Sequence, residues 1–162
     1  MGTGQILAAI IAIVLLGILA LGVNSIILNK TIDALETQGQ IIATSIAESY
    51  LNEACSKAFD ENVAPPKPNY DDPSYFSTTL GPEGETYPAY DDVDDFNGFQ
   101  IDDSTSTMGK FHVVMSVSYG SETNPDQPVS GVRTHFKIVT ATVSHPNLRS
   151  PITLRRIAVK HH

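Results

Sequence analysis

The feature that most constrains this sequence is an uncharged and almost entirely apolar run over residues 5–28. A helix needs about 20 apolar residues to cross a bilayer, so this run is long enough to span one. Because water solvates such a segment poorly, lipid or other protein has to cover its side chains. The rest of the chain is polar and acidic, and the whole sequence carries a formal net charge of -8.

Three interpretations of this run are open. A cleaved secretory signal requires a basic segment in front of the apolar one, but the first basic residue is Lys30. A plain membrane anchor fits the length and places Lys30 at the interface. A helix that begins in the membrane and ends in a bundle of identical subunits requires, in addition, that the apolar span continue into an amphipathic helix.

The helical pattern does continue beyond Lys30, with one apolar face. Apolar or small residues recur at steps of three and four, at Leu28, Ile32, Leu35, Gly39, Ile42, Ile46, Tyr50, Ala54 and Ala58. Pro65-Pro66 ends the pattern, because proline lacks the amide hydrogen and disfavours helical geometry in the residue before it. The sequence therefore predicts one helix from near residue 3 to near residue 60, apolar over residues 1–28 and amphipathic over residues 29–60.

The apolar half of this helix is rich in alanine and glycine, which allow helices to approach one another closely. Glycine and asparagine are also poor helix formers. A local loss of helix at Gly17 or at Gly22-Val23-Asn24 and an intact helix with closely packed glycines are both compatible with the sequence.

Residues 61–108 are rich in proline, glycine and acidic residues, and we expect a connecting loop that packs over a sheet. The aromatic residues expected to hold this loop are Tyr70, Tyr75, Phe76, Tyr87, Tyr90, Phe96 and Phe99. Alternating apolar residues predict strands within residues 109–162, at 111–119, 136–144 and 152–159. A change of parity at Arg155-Arg156 predicts a bulge in the last strand.

The predicted fold class is α+β: a long N-terminal α-helix, apolar and then amphipathic, packed under a small antiparallel β-sheet of about three strands. Charge is distributed unevenly over the part after the helix. Acidic residues cluster between Asp60 and Asp103 and none follows Asp126, so the later charged residues are all basic. The acidic segment and the basic C-terminal segment compensate each other either within one chain or head-to-tail between subunits. The second alternative favours a filament.

The net acidity argues against a nucleic-acid partner, because phosphate recognition needs a basic surface. No nucleophile motif, phosphate-binding loop or metal-ligand spacing of histidines occurs in the sequence, which predicts neither enzymatic activity nor a cofactor. A calcium site at Asp91, Asp92, Asp94 and Asp95 is an alternative to a solvated turn. A helix-loop-helix calcium loop does not fit there, because its first ligand position would fall on Val93.

The apolar start, the long helix and the C-terminal antiparallel sheet together resemble the type IV pilin and pseudopilin superfamily over the whole chain. The segments Gly81–Glu85 and Tyr90–Phe99 are similar to a segment of pilin-like proteins from mannose-sensitive haemagglutinin-type systems. Members usually carry glutamate at the fifth mature position, where this sequence has Gln5, which keeps hydrogen bonding and loses the charge. Either Met1 is the first mature residue, or the subunit is not processed by removal of the family's basic leader.

The resemblance implies a structural subunit of an extracellular filament. Such a subunit resides in the inner membrane, is exported by a pilus assembly machine, and packs its N-terminal helix against identical subunits in the filament core. The residues expected to make these assembly contacts are Met1, Gln5, Ile6, Ile10, Ile13, Leu16, Gly17, Leu21 and Gly22. A membrane-anchored extracytoplasmic binding module and a minor pseudopilin of a secretion or pilus machine are the alternatives.

Overall fold

The computed structural model describes residues 2–160 of the chain. The chain divides into two compact units, residues 1–38 and residues 39–162. A single α-helix, α1 (Thr3–Ser56), forms the first unit and continues into the second. The predicted long helix is confirmed, although it ends a few residues before the predicted end near residue 60. It remains helical through Gly17 and Gly22-Val23-Asn24, so the intact-helix alternative holds in this chain.

Within residues 2–160, four antiparallel strands follow, adjacent in the sheet in their order along the chain: β1 (Gln100–Thr105), β2 (Gly109–Tyr119), β3 (Phe136–Ser144) and β4 (Ile152–Val159). The predicted α+β class is confirmed, with one strand more than the expected three. The additional strand, β1, lies inside the segment 61–108 that the sequence predicts as loop. It is an edge strand with a single large apolar residue, Ile101, so no alternation of apolar residues marks it.

The predicted bulge in β4 is wrong. The pairing of β3 with β4 is unbroken from Phe136 opposite Val159 to Val143 opposite Ile152. The change of apolar parity arises because Arg156 occupies a position on the helix-facing side of the sheet. Its side chain is exposed to solvent and its guanidinium donates a hydrogen bond to Oδ1 of Asn52 on α1, so a charged residue is tolerated at this position.

The core lies between the last third of α1, from Gly39 onward, and one face of the sheet. Three alanines of the helix, Ala43, Ala47 and Ala54, are completely buried against it. Because an alanine side chain is short, the helix backbone approaches the sheet closely. The sheet contributes Phe111, Val113, Met115, Val139, Ala141 and Val143, all of them at most 1% exposed.

The predicted apolar face of the helix is buried only from Gly39 onward. Gly39, Ile46, Tyr50 and Ala54 of that face are buried, whereas Leu28, Ile32 and Leu35 are exposed. The exposed ones belong to the first unit, residues 1–38, and the buried ones to the second. The helix therefore meets the sheet over only about its last third.

The long connection between α1 and β1 is anchored by aromatic rings, as the sequence predicts. The rings of Phe76, Tyr90, Phe96 and Phe99 are buried, and that of Tyr87 is partly buried among them. Tyr70 and Tyr75 are instead exposed and stack on each other, with ring centroids 4.1 Å apart. The connection is thus packed onto the core without regular secondary structure beyond three short 3₁₀ turns among the described residues.

Candidate functional site

The first half of α1 presents apolar side chains to its surroundings on every side. The large apolar side chains from Ile6 to Leu28 range from 49% exposed at Val23 to 72% exposed at Leu21. Monomeric soluble proteins rarely expose contiguous apolar patches of more than a few hundred Å². A helix that is apolar all round is normally covered all round. By length and composition α1 is able to cross a membrane, and this half is a candidate anchor.

The predicted assembly residues lie in this exposed half, except Met1, which lies outside the described residues. They are Gln5, Ile6, Ile10, Ile13, Leu16, Gly17, Leu21 and Gly22. A Cβ atom added at Gly17 or Gly22 would have no heavy atom of this chain within 4 Å beyond its own helical turn. Any constraint that keeps these two positions small therefore comes from outside the chain.

The acidic segment 91–95 is mostly buried, not a solvated turn. Asp91 is exposed, but Asp92, Asp94 and Asp95 are at most 1% exposed. The carboxylate of Asp95 accepts hydrogen bonds from the backbone N–H groups of Asp91 and Asp92, at 2.9 and 3.1 Å. The carboxylate of Asp92 accepts from the N–H groups of Asp94 and Asp95 at 2.7 and 3.2 Å, and from that of Glu61 at 2.5 Å. These carboxylates shape the backbone around them.

The four aspartates proposed for calcium do not come together as one group. Among the described residues, carboxylate oxygens of Glu85, Asp91 and Asp95 lie within 4.8 Å of one another. Asp92 and Asp94 make other contacts. We assign no metal to them, because the buried Asp95 already accepts two backbone hydrogen bonds, and exposed acidic residues such as Glu85 and Asp91 are common without an ion.

A second cluster lies at the centre of the domain and is called here the Lys137 cluster: Lys137, Asp60, Asp94 and Tyr119. Lys137 is completely buried, and its Nζ donates to the backbone oxygen of Phe59 at 2.6 Å and to Oδ2 of Asp60 at 3.0 Å. Nζ also contacts Oδ1 of Asp94. The side chains of both aspartates are 0% exposed, so three ionisable groups meet away from water.

The two carboxyl groups of this cluster differ in their surroundings. Burial tends to raise the pKa of Asp60, but Lys137 and the amides of Ser77 and Asn62 outweigh it and hold that pKa below its usual value. Burial raises the pKa of Asp94 above its usual value, and Lys137 offsets only part of this rise. Oδ2 of Asp94 is buried and accepts no hydrogen bond from any described residue. Asp60 is thus the carboxyl group that stays ionised more readily, and Asp94 is the one that is protonated more readily.

Sequence reasoning missed Asp60, Lys137 and Tyr119 as members of one cluster. One signal was available, because Lys137 has the same parity as Val139, Ala141 and Val143 in β3, which are all buried. A lysine at an inward position of an apolar strand needs a buried counter-charge. Nothing in the linear sequence shows that the counter-charges come from Asp60 and Asp94, which lie 77 and 43 residues away.

A pH-dependent contact lies at the edge of the domain. The Nδ1 of His135 is 2.8 Å from Oε1 of Glu122, and its Nε2 is 2.8 Å from the backbone oxygen of Asp71. Two acceptors require both ring nitrogens to carry a proton. Burial tends to lower the pKa of His135, but these hydrogen bonds and the charges of Glu122 and Asp71 raise it above 6.5.

We expect His135 to stabilise the fold most at acidic pH. Since its pKa is raised in the folded state, its contribution is fully present below the unfolded pKa and is lost as pH rises through the folded pKa. The contribution should be under about 1 kcal/mol, as for other partly exposed ion pairs. Urea unfolding of the wild type and of His135→Gln at about pH 5.5 and about pH 8.5 measures it. The difference in the free energy of unfolding between the wild type and His135→Gln should be smaller at the higher pH. A difference that does not change with pH contradicts the assignment.

No family model matches this sequence, and no curated protein or solved structure shows significant similarity to it.

Proposed function

We propose that this chain is a structural subunit of an extracellular, type IV pilus-like filament that assembles through its N-terminal helices. The observation that carries the proposal is the exposure of the apolar half of α1 on all its sides, from Ile6 to Leu28. Lipid covers this surface while the subunit is held in the inner membrane. Helices of identical subunits cover it after a pilus assembly machine has extracted the subunit into the filament.

Two further features support assembly over a simple anchor. Helix α1 continues without interruption from the apolar half to the residues that pack on the sheet, so the assembling segment and the domain share one element. Gly17 and Gly22 have open space around them in the single chain, and such positions let neighbouring helices approach closely. A helix surrounded only by lipid makes no helix–helix contact that would require small residues at these positions.

A membrane-anchored extracytoplasmic binding module is the second candidate, and the length and composition of α1 favour it equally. In that case the helix stays in lipid and the chain is a monomer in detergent. A minor pseudopilin that primes or caps a secretion or pilus machine uses the same contacts at low copy number. These candidates differ in where the chain is found and in how many copies are present.

Mechanical shearing of the producing cells separates these functions. We expect thin filaments in the sheared fraction by electron microscopy, with this chain as their main component by mass spectrometry. Immunogold labelling along the whole filament supports a major subunit, and labelling at the tip alone supports a minor pseudopilin. If the chain remains in the membrane fraction and is monomeric in detergent, the filament proposal is wrong and the anchored module replaces it.

A further inference from the structure

The Lys137 cluster places an amine and a carboxyl group in direct contact at a site without water access. Nζ of Lys137 contacts Oδ1 of Asp94, and both side chains are 0% exposed. The rings of Phe59 and Tyr119 cover the amine, with their centroids 4.7 and 5.6 Å from Nζ. A buried ion pair is stable only if attraction and further hydrogen bonds repay the loss of hydration. Here one oxygen of Asp94, Oδ2, accepts no hydrogen bond from the described residues.

We propose that Lys137 and Asp94 are joined by an intramolecular amide bond that the folded chain forms by itself. A proton first passes from Nζ to the carboxylate of Asp94, which converts a buried ion pair into a neutral amine and a carboxylic acid. Such a neutral pair is favoured where water is excluded. Nζ then attacks Cγ of Asp94, and the new Nζ–Cγ bond gives a tetrahedral intermediate.

Asp60 is placed to carry the second proton. Its Oδ2 lies 3.0 Å from Nζ, within the distance required of a general base. It takes a proton from Nζ in the intermediate and returns it to the departing hydroxyl of Asp94, so that the Cγ–O bond breaks and one water molecule leaves. The products are an amide, which keeps one hydrogen on nitrogen, and a regenerated Asp60 carboxylate. No oxidant, reductant or other reactant is needed.

The surroundings of Asp60 fit this role. Its Oδ1 accepts a hydrogen bond from the N–H of Asn62 at 3.0 Å, and its Oδ2 accepts one from the N–H of Ser77 at 2.8 Å. The hydroxyl of Tyr119, 3.4 Å from Oδ2, closes the remaining side. These contacts hold the carboxylate in one orientation, and holding reacting groups in place removes much of the entropic barrier to the reaction. Asp60 is the ionised carboxylate of the cluster, and a general base has to be deprotonated in order to accept a proton.

The intact mass of the denatured full-length chain tests the proposal without any variant. We expect a mass lower than that of the unlinked chain by one water molecule, and a proteolytic fragment in which the peptides containing Asp94 and Lys137 are joined. A wild-type chain at the full mass of its sequence overturns the proposal, as does a water loss mapped to another pair of residues.

Variants identify the reacting groups. In Asp94→Asn the same bond forms with loss of ammonia, so the deficit should change from one water to one ammonia molecule. Lys137→Arg retains the positive charge but lacks the amine and should have full mass, whereas Lys110→Arg, at an exposed lysine, should retain the deficit. Asp60→Ala should accumulate unlinked chain. A deficit that persists in Lys137→Arg, or is lost in Lys110→Arg, contradicts the assignment.

Discussion

Replacing Gly17 by leucine is expected to lower the amount of chain in sheared filaments at least about fivefold while the chain remains in the membrane fraction. Overpacking a well-filled contact costs about 1–3 kcal/mol, and each 1.4 kcal/mol is about a factor of ten in an equilibrium. The substitution keeps the segment apolar, so insertion into lipid is unaffected. A Cβ atom at this position has no heavy atom of its own chain within 4 Å beyond its helical turn, so we expect the subunit fold to be retained.

Leu15→Met is the matched control, because Leu15 is not among the predicted assembly residues and the change alters neither volume nor polarity appreciably. It should assemble at nearly the wild-type level. Quantitative blotting of the sheared and membrane fractions measures both variants. If Gly17→Leu assembles as well as Leu15→Met, the helices do not approach closely at Gly17. If neither the wild type nor the variants are sheared from the cells, the filament proposal itself is wrong.

Replacing Lys137 by methionine is expected to lower the free energy of unfolding by about 3–5 kcal/mol, because Asp60 and Asp94 are then left buried without a counter-charge. The expectation is for the ion-paired form of the cluster; in a chain linked by the amide bond neither Lys137 nor Asp94 is charged, and Lys137→Met instead removes the cross-link. The chain has no tryptophan, so urea unfolding of the full-length protein in detergent is followed by tyrosine fluorescence or near-ultraviolet circular dichroism.

Lys110→Met is the control for this experiment, since the Lys110 side chain is 73% exposed and its ion pair with Asp102 spans 3.8 Å. A surface pair of this kind contributes at most about 1 kcal/mol. The double variant Lys137→Met/Asp94→Leu should recover part of the lost stability, because it removes one of the two uncompensated charges. Equal losses for Lys137→Met and Lys110→Met would contradict the role assigned to the Lys137 cluster.

Secondary-structure elements whose apolar residues recur at a regular spacing could be predicted from the sequence, and elements without such a spacing could not. The last two strands carry clear alternation and were predicted with their observed bounds, 136–144 and 152–159. Strand β1 has only Ile101 as a large apolar residue, so the sequence predicts a loop there. At Arg156 the pattern predicts a bulge that the structure lacks, because a charged side chain that reaches Asn52 occupies a position on the helix-facing side of the sheet.

The candidate site likewise has one part that the sequence predicts and one part that it does not. The exposed apolar half of α1 is visible in the sequence, because an uncharged run of this length is local information. The burial of Asp92, Asp94 and Asp95 is not visible in the sequence, because their hydrogen-bond partners come close only in the tertiary fold. Acidic residues between glycines and prolines are typical of a solvated turn. Only the tertiary fold shows that Lys137 and the surrounding backbone N–H groups turn this segment inward.

The Lys137 cluster also sets the order in which the domain can become stable. It joins the start and the end of the connection between α1 and β1 to strand β3, through Asp60, Asp94 and Lys137. A chain that ends before β3 lacks the Lys137 side chain that both carboxyl groups contact, so we expect the domain to gain little stability before β3 is made. We therefore expect nascent chains to be sensitive to proteases until Lys137 has emerged and β3 has paired with β2.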